Sequence, residues 1–217
     1  MNEPAEVSWA AASDDGPGSS RPDSRSRTDT RARIQQVAVE LFTEHGYEGT
    51  SLREIAERLD VTKAALYYHF KSKEDIVASL VEDYYARIDA LIAWGRSQPR
   101  TAGVRREILH RYVRIVAEGD KVFRMLHQNQ ASVSTLASAK SRGELFKERM
   151  HSLVDVLAEP DGSLREQVRA AMALGGISVG WMFFADLATD RTELSEVVCG
   201  LAGDMLGCGA GPGAWPA

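Results

Sequence analysis

Between Thr50 and Ser72 the chain can hold two short helices and little else. Ser51 followed by Glu54 in "SLRE" is a capping box, in which each side chain satisfies a backbone N–H that the first turn leaves unpaired. The helix it opens carries Leu52, Ile55, Ala56 and Leu59 on one face and ends at about Asp60. Within a few residues Thr62 can cap another helix that runs to about Phe70. Helices this short are not stable alone in water, so both must lean on something longer. A helix from near Thr30, with Ile34, Val37, Ala38, Leu41 and Phe42 on one face and a stop at Gly46, supplies it. One longer helix and two short ones across a tight turn form a helix-turn-helix pattern.

The third of these helices, within "VTKAALYYHF", has an unusual outer face. At about 100° per residue, Leu66 and Phe70 share the inner side, while Ala64 and Tyr68 point almost directly away from it. Lys63 and Tyr67 share one flank, and Ala65 and His69 the other. Lys, Tyr and His can all donate to phosphate oxygens, and a small alanine lets a helix settle into a groove and touch a thymine methyl. This chemistry fits DNA better than catalysis. The charge distribution agrees: the net charge of the chain is −5, but residues 21–73 hold ten basic against eight acidic side chains.

The stretch "TRARIQQVAVELFTEHGYEGTSLREIAERLDVTKAALYYHFKSKEDIVASLVED" resembles the N-terminal DNA-binding region of TetR-family transcriptional regulators. The likeness covers residues 30 to 83 and is densest at Ala38 to Phe42, His45 to Ser51, Ile55 with Ala56, and Leu66 to Lys73. It implies that Lys63 and Ala64 approach base edges, and that Ser51, Thr62, Tyr67, Tyr68, His69 and Lys73 hold or flank backbone phosphates. A glycine is common in the family where this chain has Ala64. The arginines at 21, 25, 27, 31 and 33 form either a DNA-reaching arm or a solvated segment, with an effect seen mainly as salt-dependent affinity.

Four divisions are expected: residues 1-28 as a disordered N-terminal arm, 29-72 as the helix-turn-helix domain, 73-207 as a helical effector-binding and dimerisation domain, and 208-217 as a flexible tail. A long helix capped by Ser72 should end near Gly95 and Pro99. Further helices are predicted near 103–118, 120–130, 141–158, 163–188 and 192–207, with breaks at "EGD", "SVSTLAS", "EPDGS" and "TDRT". The fold class expected is all-α.

In the larger domain Trp94, Tyr112, Phe123, Met125, His127, Phe146, Met150, Trp181, Phe183 and Phe184 can either fill an ordinary core or line an apolar cavity for a small molecule. His127, Asn129 and Gln130 would supply polar contacts there. Gly176 and Gly180 have the spacing that lets helix backbones approach closely. Leu194, Val197, Val198, Leu201, Ala202, Met205 and Leu206 form a broad apolar stripe on the last helix. Paired with their twofold mates, these two helices would make a four-helix homodimer interface, an arrangement the family resemblance also implies.

Several function classes find no support. The chain lacks H-E-x-x-H, a Gly-rich phosphate loop and a nucleophile elbow, so no enzyme, metal site or cofactor is expected. Its two cysteines, Cys199 and Cys208, do not make a disulfide framework. The longest uncharged run, the 16 residues from Ala170 to Ala185, falls short of a bilayer span. With no signal-like N-terminus, a cytoplasmic protein without membrane contact is expected. The reading is therefore a homodimeric regulator, a repressor that leaves a near-palindromic operator when a small, partly apolar effector binds. The alternative is a helical small-molecule-binding or interaction module that does not read DNA sequence.

Overall fold

Eight α-helices and no strand make up residues 24–128, 139–159 and 162–209, the part of the chain described by a computed structural model. They are α1 Ser24–His45, α2 Leu52–Arg58, α3 Lys63–His69, α4 Lys73–Ser97, α5 Ala102–Gln128, α6 Ala139–Leu157, α7 Leu164–Phe184 and α8 Arg191–Met205. The all-α expectation holds. The chain has an N-terminal helix-turn-helix followed by a larger helical part.

The short helices start where their caps require. Glu54 N–H donates to Ser51 Oγ at 3.1 Å, and the Glu54 carboxylate accepts from Ser51 N–H at 3.4 Å. Thr62 Oγ1 accepts from Ala65 N–H at 3.1 Å, and Ser72 Oγ from Asp75 N–H at 3.1 Å. In the turn between α2 and α3, Asp60 has φ 54°, the left-handed conformation that Asp tolerates better than most residues. That geometry lets Val61 N–H reach back to Ala56 O at 3.1 Å and close the end of α2.

The helix-turn-helix does not complete its own core. Ile34, Ala38, Leu41 and Phe42 of α1, Leu52 and Ile55 of α2, and Leu66 with Phe70 are buried together with Ile76 and Val77 of α4. Met125, from far along α5, is fully buried in the same cluster. Gln35 on α1 adds a polar tie, its amide donating to Ser79 Oγ at 3.0 Å and Asp83 Oδ2 at 2.6 Å on α4. The second core joins the rest of α4 and α5 to α6, α7 and α8, from Tyr84 and Ile88 through Tyr112 and Leu153 to Trp181 and Val198.

Two boundaries differ from expectation. α1 begins at Ser24 rather than near Thr30, taking in the end of the segment expected to be a disordered arm. Residues 24 to 45 hold no Gly or Pro, so a helix anchored by buried Ile34 has nothing to stop it. The predicted break at "EGD" is absent, and α5 runs through it without interruption. Gly119 is there for packing: a Cβ on it would lie 3.1 Å from the Tyr84 ring. Gly95 likewise sits inside α4, where a Cβ would meet Val156 at 2.5 Å. Residues 1–23, the "SVSTLAS" segment and the tail from 210 lie outside the described residues.

Met125→Ala should lower stability by about 2–5 kcal/mol, the usual cost of emptying a buried site, as read by urea denaturation. Because Met125 closes the core of the helix-turn-helix, the loss should appear as reduced hydrogen-exchange protection in α1 to α3 as well as in α5.

Candidate nucleic-acid interface and effector cavity

On α3 the two sides separate as the periodicity requires. Leu66 and Phe70 are buried, whereas Lys63, Ala64, Ala65, Tyr67 and Tyr68 are exposed and His69 is half-buried. Tyr68 is 63% exposed, an unusual position for a large aromatic with no core to serve. Its ring meets His69 edge-on at 5.3 Å, and Lys63 Nζ lies 5.5 Å from the centre of the Tyr67 ring. Ser51 and Thr62, both exposed helix caps, stand at the starts of α2 and α3. The arrangement is a raised polar and aromatic ridge with cations at its edge.

Lys73 differs from the others. Its ammonium donates to Tyr47 O at 2.6 Å and lies 4.5 Å from the centre of the Tyr47 ring. Tyr47 is buried against Phe42 and donates its hydroxyl to the Glu74 carboxylate at 2.6 Å. That bond holds the Glu74 carboxyl below its ordinary value, and burial together with Glu74 pushes the Tyr47 phenol far up. Lys73 is therefore a fixed cation at the start of α4. Arg31 is fixed too, its guanidinium 4.4 Å from the centre of the Phe70 ring.

In the larger domain a cavity of about 420 Å³ opens between α4, α5, α6 and α7. Its wall is aromatic and apolar: Tyr84, Val116, Phe123, Phe146, Trp181 and Met182. Polar groups enter through Ser178, Asp120 and Arg124. Tyr84 packs edge-on to Phe123 at 4.6 Å, and the Tyr112 hydroxyl lies 3.0 Å from Ser178 Oγ. Burial pushes both phenols up, so they stay neutral. Asp120 is buried, and its Oδ2 accepts from Arg124 at 2.9 Å and Arg191 at 3.2 Å. The Arg191 guanidinium also stacks 4.6 Å from the centre of the Trp181 ring.

The residues expected to bind ligand divide accordingly. Phe123, Phe146 and Trp181 line the cavity, and Tyr112 stands behind Ser178 with Met150 Sδ at 3.7 Å. Trp94 does not reach it: α4 passes the cavity at Tyr84, and ten residues of helix carry Trp94 about 15 Å away, where it stacks under Arg111. Met125 points to the opposite side of α5, into the first core. Phe184 lines a different groove, between α7 and α8. The His127 side chain and residues Asn129 and Gln130 lie outside the described residues.

Residues 34–80 match the family of bacterial regulatory proteins of the tetR type. In this region the chain resembles the TetR family. Over 83 residues it is 32% identical to the probable HTH-type transcriptional regulator YttP of Bacillus subtilis, a match covering 38% of this chain and 40% of that one. Over 53 residues it is 44% identical to the biofilm operon icaADBC HTH-type negative transcriptional regulator IcaR of Staphylococcus epidermidis, covering 24% of this chain and 29% of the relative. These matches thus span less than half the length of either relative. Across most of its length the fold is similar to that of a transcriptional regulator from Aquifex aeolicus VF5, with TM-score 0.61 and 24% identity over 78% of this chain and 95% of that one.

The chain also presents an apolar outer face on α7 and α8. Met172, Val179, Phe183, Val197 and Leu201 are at least half exposed, and a groove of about 870 Å³ runs between the two helices. The stripe read on the last helix is divided. Val197, Leu201 and Met205 face outward, while Leu194 and Val198 are buried within the subunit. The two glycines divide as well. A Cβ on Gly180 would lie 2.6 Å from Val198, so Gly180 serves α7–α8 packing, whereas Gly176 faces open space. Sequence reasoning missed Asp120 and Arg124, although their i, i+4 spacing on α5 is the signal of a paired acid and base.

Among the described residues no helix is long and apolar enough to cross a membrane, and no group of acidic, His or Cys side chains is placed to hold a metal. The Glu74 bond carries a pH signature. A carboxyl lowered in the folded state adds stability above its unfolded pKa, and that stability is lost as pH falls through the folded value. Tyr47→Phe should therefore cost about 1 kcal/mol at neutral pH, discounted for the exposure of Glu74, in urea denaturation. The difference from the parent should vanish in acid, below the lowered Glu74 value.

Proposed function

We propose that the protein is a homodimeric TetR-type repressor that reads DNA through α3 and is released by a small-molecule effector. The observation that carries this reading is the split of α3: Leu66 and Phe70 hold the helix down, and Lys63, Ala64, Tyr67 and Tyr68 are left outside. An exposed ridge of that composition suits the major groove, with Lys63 and Ala64 toward base edges. Ser51, Thr62, Tyr67, Tyr68, His69 and Lys73 are then the phosphate contacts. The name of the relative IcaR as a negative regulator supports repression over activation.

The α7–α8 face supports pairing. An apolar patch of this kind marks an interaction surface, and a second copy of the same face would cover it around a twofold axis. Gly176, Val197, Leu201 and Met205 are the contacts that a mate would meet. Two α3 helices held about 34 Å apart would enter successive major grooves of a near-palindromic operator. The cavity, beside α4 and α5, is the effector site. Residues 29–72 act as the DNA-reading unit and 73–207 as the effector and pairing unit, with the arginines before Ile34 adding salt-dependent affinity.

Selection of duplexes from a random pool should return two half-sites about one helical turn apart. A pool with no enrichment at moderate salt would favour a ligand-binding module that does not read DNA. Tyr68→Ala combined with Lys63→Ala should weaken binding of the selected duplex by about tenfold or more in fluorescence anisotropy, with a shallower salt dependence. Leu201→Glu should sediment as a monomer and lose most operator affinity while keeping its helical circular dichroism.

A further inference from the structure

Arg124 holds two carboxylates of very different standing. Asp120 is buried, its side chain 3% exposed, and is held by Arg191 as well. Asp186 lies in the turn after α7 with its side chain 73% exposed and is paired with Arg124 from outside the cavity wall. Arg124 itself lines the cavity, and Asp186 does not. Counting the groups around Asp120, one buried negative charge faces two guanidiniums, leaving a single positive excess that Asp186 neutralises from the solvent side.

The three kinds of ligand charge are not equivalent here. A cationic ligand would add to the positive excess or would have to take Asp120 from two arginines, leaving a guanidinium unpaired against a largely apolar wall. A neutral ligand would leave every charge as it is. A carboxylate could take the place of Asp186 on Arg124, and Asp186 would move into water that already surrounds most of it. An exposed ion pair contributes little, so this exchange costs far less than taking Asp120 from its two arginines, and it gains a charge-assisted bond that a neutral ligand lacks. The charge-assisted, planar pairing of guanidinium with carboxylate then fixes the ligand in one orientation.

We propose that the cavity takes an apolar or aromatic ligand bearing one carboxylate, which exchanges with Asp186 for the Arg124 guanidinium. The aromatic wall of Tyr84, Phe123, Phe146 and Trp181 holds the body of the ligand, and the volume of about 420 Å³ sets its size at the lower end of the small-molecule range. This rests on the reading of the cavity as an effector site. Asp186 is a built-in stand-in for the ligand's acid group, and its release frees the turn that joins α7 to α8, the two helices of the outer apolar face.

The test is calorimetry on the full chain with decanoate, decylamine and decanol, all below their aggregation concentrations. Decanoate should bind about tenfold or more tighter than decanol, and decylamine most weakly. Arg124→Gln should abolish the preference for decanoate while decanol binding persists, which shows that the cavity is still formed. Asp186→Asn, a change at an exposed position, should strengthen decanoate binding by about two- to fivefold by removing the competitor. Tighter binding of decylamine, no binding of any of the three, or an Asp186→Asn variant with unchanged decanoate affinity would overturn the assignment. No DNA enters the measurement. A chain that selects an operator yet shows no carboxylate preference overturns the ligand class alone, and one that binds decanoate but enriches no duplex overturns the regulator reading instead.

Discussion

The helix-turn-helix of this protein cannot bury its own core. α2 and α3 have seven residues each, too few to be helical alone, and α1 covers only one side of them. The remaining surface is closed by Ile76 and Val77 at the start of α4 and by Met125 near the end of α5. The position of α3 is thereby tied to two helices that also wall the cavity. Gln35 reinforces the tie, because a buried amide bonded to Ser79 and Asp83 allows α1 only one register along α4. A shift of α4 or α5 beside the cavity would carry α3 with it.

The parts legible in the sequence are those where one residue type has one physical option. The capping box at Ser51, the caps Thr62 and Ser72, the inward Leu66 and Phe70, and the outward Tyr68 follow from hydrogen-bonding capacity and helical period, and the structure repeats them. Gly119 was misread because a glycine inside a helical pattern has two meanings. It can end a helix or make room for a neighbour, and only the Tyr84 ring against it decides. The stripe on α8 was too broad to assign: Leu194 and Val197 are equally apolar, and which one faces α7 depends on the crossing of two helices.

The cavity was the least legible. Its aromatic wall could be guessed from composition, but Trp94 and Met125 belong to other places for reasons of distance and helix face. Its polar side was not anticipated, since Asp120, Arg124, Asp186 and Arg191 look like ordinary surface charges in the sequence. Only the fold brings α5, the turn after α7 and the start of α8 close enough for those four side chains to act together.

The place of Met125 in the chain also bears on how the protein is made. Chains emerge from the ribosome from the N-terminus, and domains fold as they appear. Here the helix-turn-helix lacks one wall until α5 has emerged, more than 50 residues after α3 is complete. The outer face of α7 and α8 comes later still. Each new chain therefore closes the core beneath α3 before the exposed apolar face of α7 and α8 exists.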